Sequence, residues 1–347
     1  MRPARACGHP VASGIAAYAV LLAAALTVAG PAQAQPAAPS AKTAAPKTSN
    51  LRSLGPTAAT PGPVAPLGVD PDPAFSAYQR GRFRTALDLA VSRANAQGSA
   101  TAMVLAAELL SQGYGVRQDP TAARKWYEAA AAKGNADALF TLGALLMASP
   151  SVANKDQAVE FFRQAAENGS ARAAYNLGLI YLQGEVAPKE PAIAAEWFKR
   201  GAERDQPDAL YALATLYRDG NGVPRDPIES ARLLQRASLI GNDVATTELA
   251  IAVFNGVGVP KDEERAAALF RKAALQGNAI AQNRYARILS AGRGVPKDVI
   301  AAAGWHFVAK AQKLDDPMLD RLVASLTPEQ QAQARARIKP WTPPPAY

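Results

Sequence analysis

Cysteine and histidine are almost missing from this chain. Among 347 residues there is one Cys, Cys7, and two His, His9 and His306. A disulfide scaffold needs paired cysteines, and a Cys/His zinc site or a haem attachment needs several such ligands together, so all three are excluded. Aromatic residues are scarce at 7%, and the 49% hydrophobic stock is dominated by Ala. Strands favour branched and aromatic side chains, whereas small ones suit close helix packing, so a β-sandwich is disfavoured. Also missing are a Gly-x-Ser-x-Gly elbow, a His-Glu-x-x-His helix and a Walker-type Gly-Lys-Ser/Thr loop. Those motifs would announce a serine hydrolase, a zinc protease or a phosphate-binding enzyme. The chain is read as non-catalytic, with no cofactor and no metal.

The first 34 residues have the form of an export signal. Arg2 and Arg5 give a positive start, Ile15 to Val28 is apolar and uncharged, and Ala32-Gln33-Ala34 offers small residues for cleavage after Ala34. The apolar run is shorter than the ~20 residues of a bilayer span. Cleavage would remove two Arg and no acid, taking the formal net charge from +9 to +7 and leaving His306 as the only histidine. A cysteine-free product is compatible with the periplasm or with secretion. Residues 35–70 hold seven prolines and no aromatic residue. Such a stretch buries too little apolar surface to offset its ordering entropy and reads as a flexible Pro/Ala-rich spacer.

Beyond Pro71 one pattern recurs. Gly220-Asn221-Gly222-Val223-Pro224, Gly256-Val257-Gly258-Val259-Pro260 and Gly292-Arg293-Gly294-Val295-Pro296 are spaced by 36 residues, and Gly113-Tyr114-Gly115-Val116 falls in the same series. An acid follows each loop: Asp119, Asp226, Asp262 and Asp298. Seven residues after each acid stands a large apolar residue: Trp126, Leu233, Leu269 and Trp305, with Phe162 and Trp197 in the intervening units. A fixed period of this length marks a repeat architecture.

Each unit reads as a helical hairpin. Ala174, Leu177, Gly178 and Tyr181 recur at spacings of three and four, the period of one helix face. The Gly-x-Gly loop reverses the chain, and Asp followed by Pro, as in Asp119-Pro120 and Asp226-Pro227, starts the second helix. Gly134, Gly169, Gly241 and Gly277 are suited to end it. Trp126, Trp197 and Trp305 are expected as core anchors, and His306 as a half-exposed helix residue. The Gly-x-Gly loops follow helices and recur at every hairpin, so they read as turns and not as phosphate cradles.

Here the sequence resembles the Sel1-like repeat family, relatives of the tetratricopeptide repeats. Residues 207–241 match its pattern of Leu-Gly, Tyr, Gly-x-Gly-Val, Asp, Ala, Trp and Ala-Ala nearly whole, and residues 279–311 match well. The resemblance covers six units over residues 99–316. It implies an all-α, right-handed solenoid. Residues 71–98, with Tyr78, Gly81 and Phe83, look like a leading tetratricopeptide-type hairpin. Residues 317–339 are expected as capping helices, the second opening at Thr327-Pro328-Glu329, and residues 340–347 as a disordered tail.

Two units depart from the pattern. One replaces its glycine loop with Ala148-Ser149-Pro150 and leaves Asn154 and Asp156 competing as helix cap. The next has Val186 for the second glycine and Glu190 for the capping Asp. Both turns should differ in shape from the rest.

The resemblance also implies scaffolding or regulation through the groove lined by the first helices, and some bacterial relatives restrain a membrane sensor kinase. By analogy with tetratricopeptide repeats, the groove positions are Arg172, Tyr175, Gln183, Asp208, Tyr211, Arg218, Asn283 and Arg287. Tyr and Arg carry much of the binding energy at protein interfaces. The expected partner is a protein of the bacterial envelope, such as a membrane sensor or a wall-synthesis protein. Nucleic acid is disfavoured, because no base-stacking module is visible. The rival readings are a peptidoglycan- or polysaccharide-binding protein and a hydrolase built on carboxylate pairs such as Glu263-Glu264 or Asp315-Asp316, which read instead as surface acids at helix ends.

Overall fold

The computed structural model describes residues 72–149 and 151–338. The export segment, the spacer and the tail expected at 1–34, 35–70 and 340–347 lie outside them. Among the described residues there are sixteen helices and no strand.

The helices pair in chain order. A leading hairpin of α1 (Pro73–Gln79) and α2 (Phe83–Gln97) comes first. Then follow α3 (Ala100–Gln112) with α4 (Pro120–Ala131), α5 (Ala136–Met147) with α6 (Val152–Glu167), and α7 (Ala171–Gln183) with α8 (Pro191–Glu203). The series continues with α9 (Pro207–Asp219) and α10 (Pro227–Leu239), α11 (Asp243–Asn255) and α12 (Glu263–Leu275), then α13 (Ala279–Ala291) and α14 (Val299–Ala311). Each second helix packs on the first helix of the next hairpin, and α16 (Pro328–Ile338) packs along α14, with α15 (Pro317–Ala324) between them in sequence. The molecule is an all-α repeat solenoid.

Local chemistry explains the element ends. Asp119, Asp226, Asp262 and Asp298 each accept a hydrogen bond from a backbone N–H in the first turn of the helix they precede. Glu190 makes no such bond. In the irregular hairpin neither Asn154 nor Asp156 caps: α6 begins earlier, at Val152, and the Asn154 amide donates to Ser149 Oγ at 2.7 Å. The helix therefore absorbs residues that a regular loop would have used. The opening of α16 is a capping box, in which Thr327 Oγ1 accepts from Gln330 N at 3.2 Å and Gln330 Oε1 accepts from Thr327 N at 3.0 Å.

The core corrects one expectation. The expected slot seven residues after the acid is buried only at Leu233 and Trp305, whereas the slot eight residues after it is buried in each of these hairpins. Tyr127, Phe198, Leu234 and Phe270 hold that slot and are buried. Trp126 and Trp197, one residue earlier, are only half-buried, and the Trp197 ring carries the Arg200 guanidinium 4.5 Å above it. Trp305 is buried as expected. The Leu-Gly pairs supply the matching gaps: a Cβ added at Gly143 or Gly178 would overlap the ring of Phe162 or Phe198.

In the regular loops the second glycine is where neighbouring hairpins touch. Gly222, Gly258 and Gly294 all have φ near +70°. A Cβ on any of them would strike the backbone at the start of the preceding second helix, at Pro191, Pro227 or Glu263. Val186 breaks this contact. It packs inward against the cluster around Phe162 and Leu177, so that turn differs from its neighbours.

The turn after the second helix also needs a positive φ. Gly134, Gly169, Gly241 and Gly277 supply it, while Asp205 (φ 53°) and Lys313 (φ 65°) stand in the same slot. A left-handed residue with a Cβ costs ~1–2 kcal/mol, partly offset by the greater chain entropy that glycine loses on folding. Lys313→Gly should therefore raise stability by up to about 1 kcal/mol, measured by urea titration of helical signal.

Candidate functional site

The first helices of successive repeats lie side by side, and their polar residues form cross-links 30 to 35 residues apart in sequence. Arg172 on α7 donates to Asp137 on α5 at 3.0 Å, and its guanidinium lies 4.5 Å from the Phe140 ring centre. Arg218 on α9 reaches Glu248 on α11 at 3.2 Å and its own neighbour Asp219 at 2.9 Å. Asn242 donates to Asp208 at 3.2 Å, and Asn278 to Asp243 at 2.9 Å. These contacts are exposed or half-buried ion pairs and amide bonds, each worth little alone. Together they hold the helix faces in register.

Between these links stand the tyrosines. Tyr175 and Tyr211 occupy one row of the repeat, 36 residues apart, and each is half-buried. The Tyr175 ring packs 5.8 Å from Phe198. Burial foremost, and then the Glu248 carboxylate, push the Tyr211 phenol above its ordinary value, so it stays a neutral donor. Gln183 closes α7 and is half-buried. Arg172, Tyr175, Gln183, Asp208, Tyr211 and Arg218 thus lie on neighbouring first helices.

Asn283 and Arg287 do something else. Asn283 Nδ2 donates to Asp316 Oδ2 at 2.7 Å and Arg287 Nε donates to the same oxygen at 2.6 Å. Asp316 also caps α15, its Oδ1 accepting from the N–H groups of Met318 and Leu319. Asn283 is only 8% exposed, so its side chain is spent on holding the terminal cap. Asp316, read from the sequence as a surface acid, is 2% exposed. Burial opposes its ionisation, but the Arg287 and Asn283 hydrogen bonds and the Leu319 N–H outweigh burial and hold its carboxyl at about 2. Because that value lies below the ordinary ~4 of an aspartate, the stabilisation is complete above pH ~4 and fades as pH falls towards 2. Asp316→Asn should cost about 3 kcal/mol at neutral pH, the low end for breaking a buried pair, since Arg287 can turn to water. Melts of parent and variant should converge between pH 4 and 2.

His306 is a second correction. It is 1% exposed, occupies the anchor slot that holds Phe198 and Phe270 elsewhere, and its Nε2 lies 2.9 Å from Asp320 Oδ1. Its Nδ1 is buried with no partner among the described residues. The other pair, Glu263-Glu264, opens α12. The Glu263 carboxyl is drawn down to about 2 by its hydrogen bonds to Arg293 and Lys261.

Sequence reasoning missed Asp137, Glu248 and Asp316, the acids that fix the arginines. Asp316 could have been found, because Asp316-Pro317 repeats the helix-start signal of Asp119-Pro120. The partners of Arg172 and Arg218 stand 35 and 30 residues away, close to one repeat period.

Comparison with known proteins settles the lineage. The Sel1 repeat model matches residues 100–135, 136–170, 171–206, 207–242, 244–278 and 279–312, more than half of the chain. The chain belongs to the Sel1-repeat family. Among solved structures it is similar to c5321, a protective antigen of uropathogenic Escherichia coli with an SLR fold, at 26% identity and a TM-score of 0.64. That match covers 79% of this chain and 65% of the antigen, so the chain spans somewhat less than two thirds of its relative. A Sel1 repeat protein from Oxalobacter formigenes matches at 27% identity and a TM-score of 0.61, over 69% of this chain and 98% of its own. No curated protein matches. Sel1-repeat proteins generally mediate protein–protein interaction as scaffolds and are typically non-catalytic.

Proposed function

We propose that this Sel1-repeat chain is an exported, non-catalytic scaffold that binds another protein of the bacterial envelope through its first-helix face. The reading rests above all on the row of Tyr175 and Tyr211 beside the Arg172 and Arg218 links. It is a face of half-buried aromatic rings and ion-paired, solvent-facing guanidinium groups held in register before any partner arrives. Binding to such a face orders few side chains, which lowers its entropic cost. Export is carried by the composition of residues 1–34, and a membrane sensor or a wall-synthesis protein fits that location.

Crosslinking in intact cells, followed by identification of the captured protein, tests this reading. Replacing Tyr175, Tyr211 and Arg218 together by Ala should reduce capture at least tenfold while far-ultraviolet circular dichroism stays helical. Undiminished capture would refute the face. Salt-sensitive retention on peptidoglycan, with no protein captured, would favour the polysaccharide reading instead.

A further inference from the structure

Towards the C-terminal end of the first-helix face lies a cleft of about 390 Å³, bounded by α11, α13 and α15. Its apolar lining includes Ile251, Phe254, Ile288 and Met318, and its cationic lining is Arg284, Arg287 and Arg293. No carboxylate lines it among the described residues. The acids closest in chemistry are already engaged: Asp316 by Arg287 and Asn283, and Glu263 by Arg293 and Lys261. Arg284 is exposed and makes no hydrogen bond or ion pair among the described residues. Arg287 keeps 43% of its side-chain surface open. The Arg293 guanidinium lies 4.3 Å over the Phe254 ring and fixes that ring as one wall.

Two kinds of surface therefore meet in one place. Arg284 has no acidic partner among the described residues, and Arg287 meets Asp316 through Nε alone; guanidinium groups with open N–H donors favour carboxylates, which they hold through paired donors. The apolar floor, with Met318 40% exposed, favours a large hydrocarbon side chain. A bare polyanion would leave Phe254, Ile288 and Met318 unused, and a purely apolar ligand would leave Arg284 unanswered. We propose that this cleft takes an acidic peptide segment of the partner protein. An apolar side chain of the segment sits over Phe254 and Met318, and flanking carboxylates reach Arg284 and Arg287. The inference rests on the scaffold reading and gives its partner a chemistry. It also gives the cap a task, because α15 supplies Met318 and is held in place by Asp316.

The test is a random dodecapeptide library displayed on phage, selected on the full chain. Enriched sequences should carry two or more Asp or Glu beside Phe, Leu, Trp or Met. By fluorescence anisotropy, the leading peptide should bind Arg284→Glu and Met318→Lys at least tenfold more weakly than the parent. Both positions are exposed enough for the variants to fold, and circular dichroism verifies it. Replacing the peptide's apolar residue by Ala should weaken binding to a similar degree. Enrichment of neutral or basic sequences, no enrichment, or binding to both variants as tight as to the parent would overturn the proposal. So would inorganic polyphosphate binding as well as the peptide and losing as much to Arg284→Glu while ignoring Met318→Lys, which would mark a polyanion site. If the Tyr175/Tyr211/Arg218 variant loses its cellular partner while Arg284→Glu does not, the scaffold reading stands and the cleft assignment falls.

Discussion

Phe198→Ala should be among the most damaging single truncations in the chain, costing about 3–5 kcal/mol, whereas Trp197→Ala next to it should cost about 2. Phe198 is fully buried, and Gly178 faces its ring with no side chain that could move into the space left behind. A site that cannot collapse sits at the upper end of the range for a lost aromatic. Trp197 is larger, but it is only partly buried, and its Arg200 contact adds only ~0.5–1 kcal/mol. The two residues can be tied to one mechanism by a second substitution. Gly178→Ala alone should destabilise, because its Cβ would overlap the Phe198 ring. In the Phe198→Ala background it should instead recover roughly 1 kcal/mol, from cavity filling and helix propensity. Urea titrations of the four proteins decide the matter. Equal losses for Phe198→Ala and Trp197→Ala would return the anchor to the position first expected.

That pair also shows where sequence reasoning stops. The repeat length, the glycine loops and the capping acids are legible because each is a local requirement on the backbone, renewed every 36 residues. Which of two neighbouring residues points inward is a question of about 100° of helix rotation. The larger side chain, Trp197, drew attention while the slot after it held the steadier series of Tyr127, Phe198, Leu234 and Phe270. His306 belongs to that series, and its burial was readable from phase although not from residue type. Asp205 and Lys313 were equally readable as occupants of a glycine slot, since they stand 36 residues after Gly169 and Gly277.

The site was less legible than the fold. Rows such as Tyr175 and Tyr211 follow from the period, so the sequence can nominate a face. Asn283 falls in the same row, yet it is buried against Asp316 at the terminal cap. The cap lies outside the repeat, and no period says where it will rest. For the same reason the arginine-lined cleft, which needs Met318 from α15, had no repeating signature.

Gly258→Ala should cost about 3 kcal/mol, and the manner of unfolding should change as well as the midpoint. Two costs combine at this position. The backbone φ of +72° is unfavourable for any residue with a Cβ, by ~1–2 kcal/mol. The new methyl would also strike the Pro227 carbonyl at the start of α10, a rigid backbone atom that cannot rotate away, and overpacking of this kind adds ~1–3 kcal/mol. Gly277 separates the two effects. It has a φ of +100°, and a Cβ there meets nothing within 4 Å, so Gly277→Ala should pay only for its backbone. The difference between the variants then reads the close approach of neighbouring hairpins. A solenoid is stable because each hairpin is coupled to the next, and weakening one coupling lets the halves melt apart. Gly258→Ala should therefore broaden or split the denaturant transition, while Gly277→Ala shifts it without changing its slope. Identical shifts with identical slopes would show that the second loop glycine serves the turn alone and not the stacking of repeats.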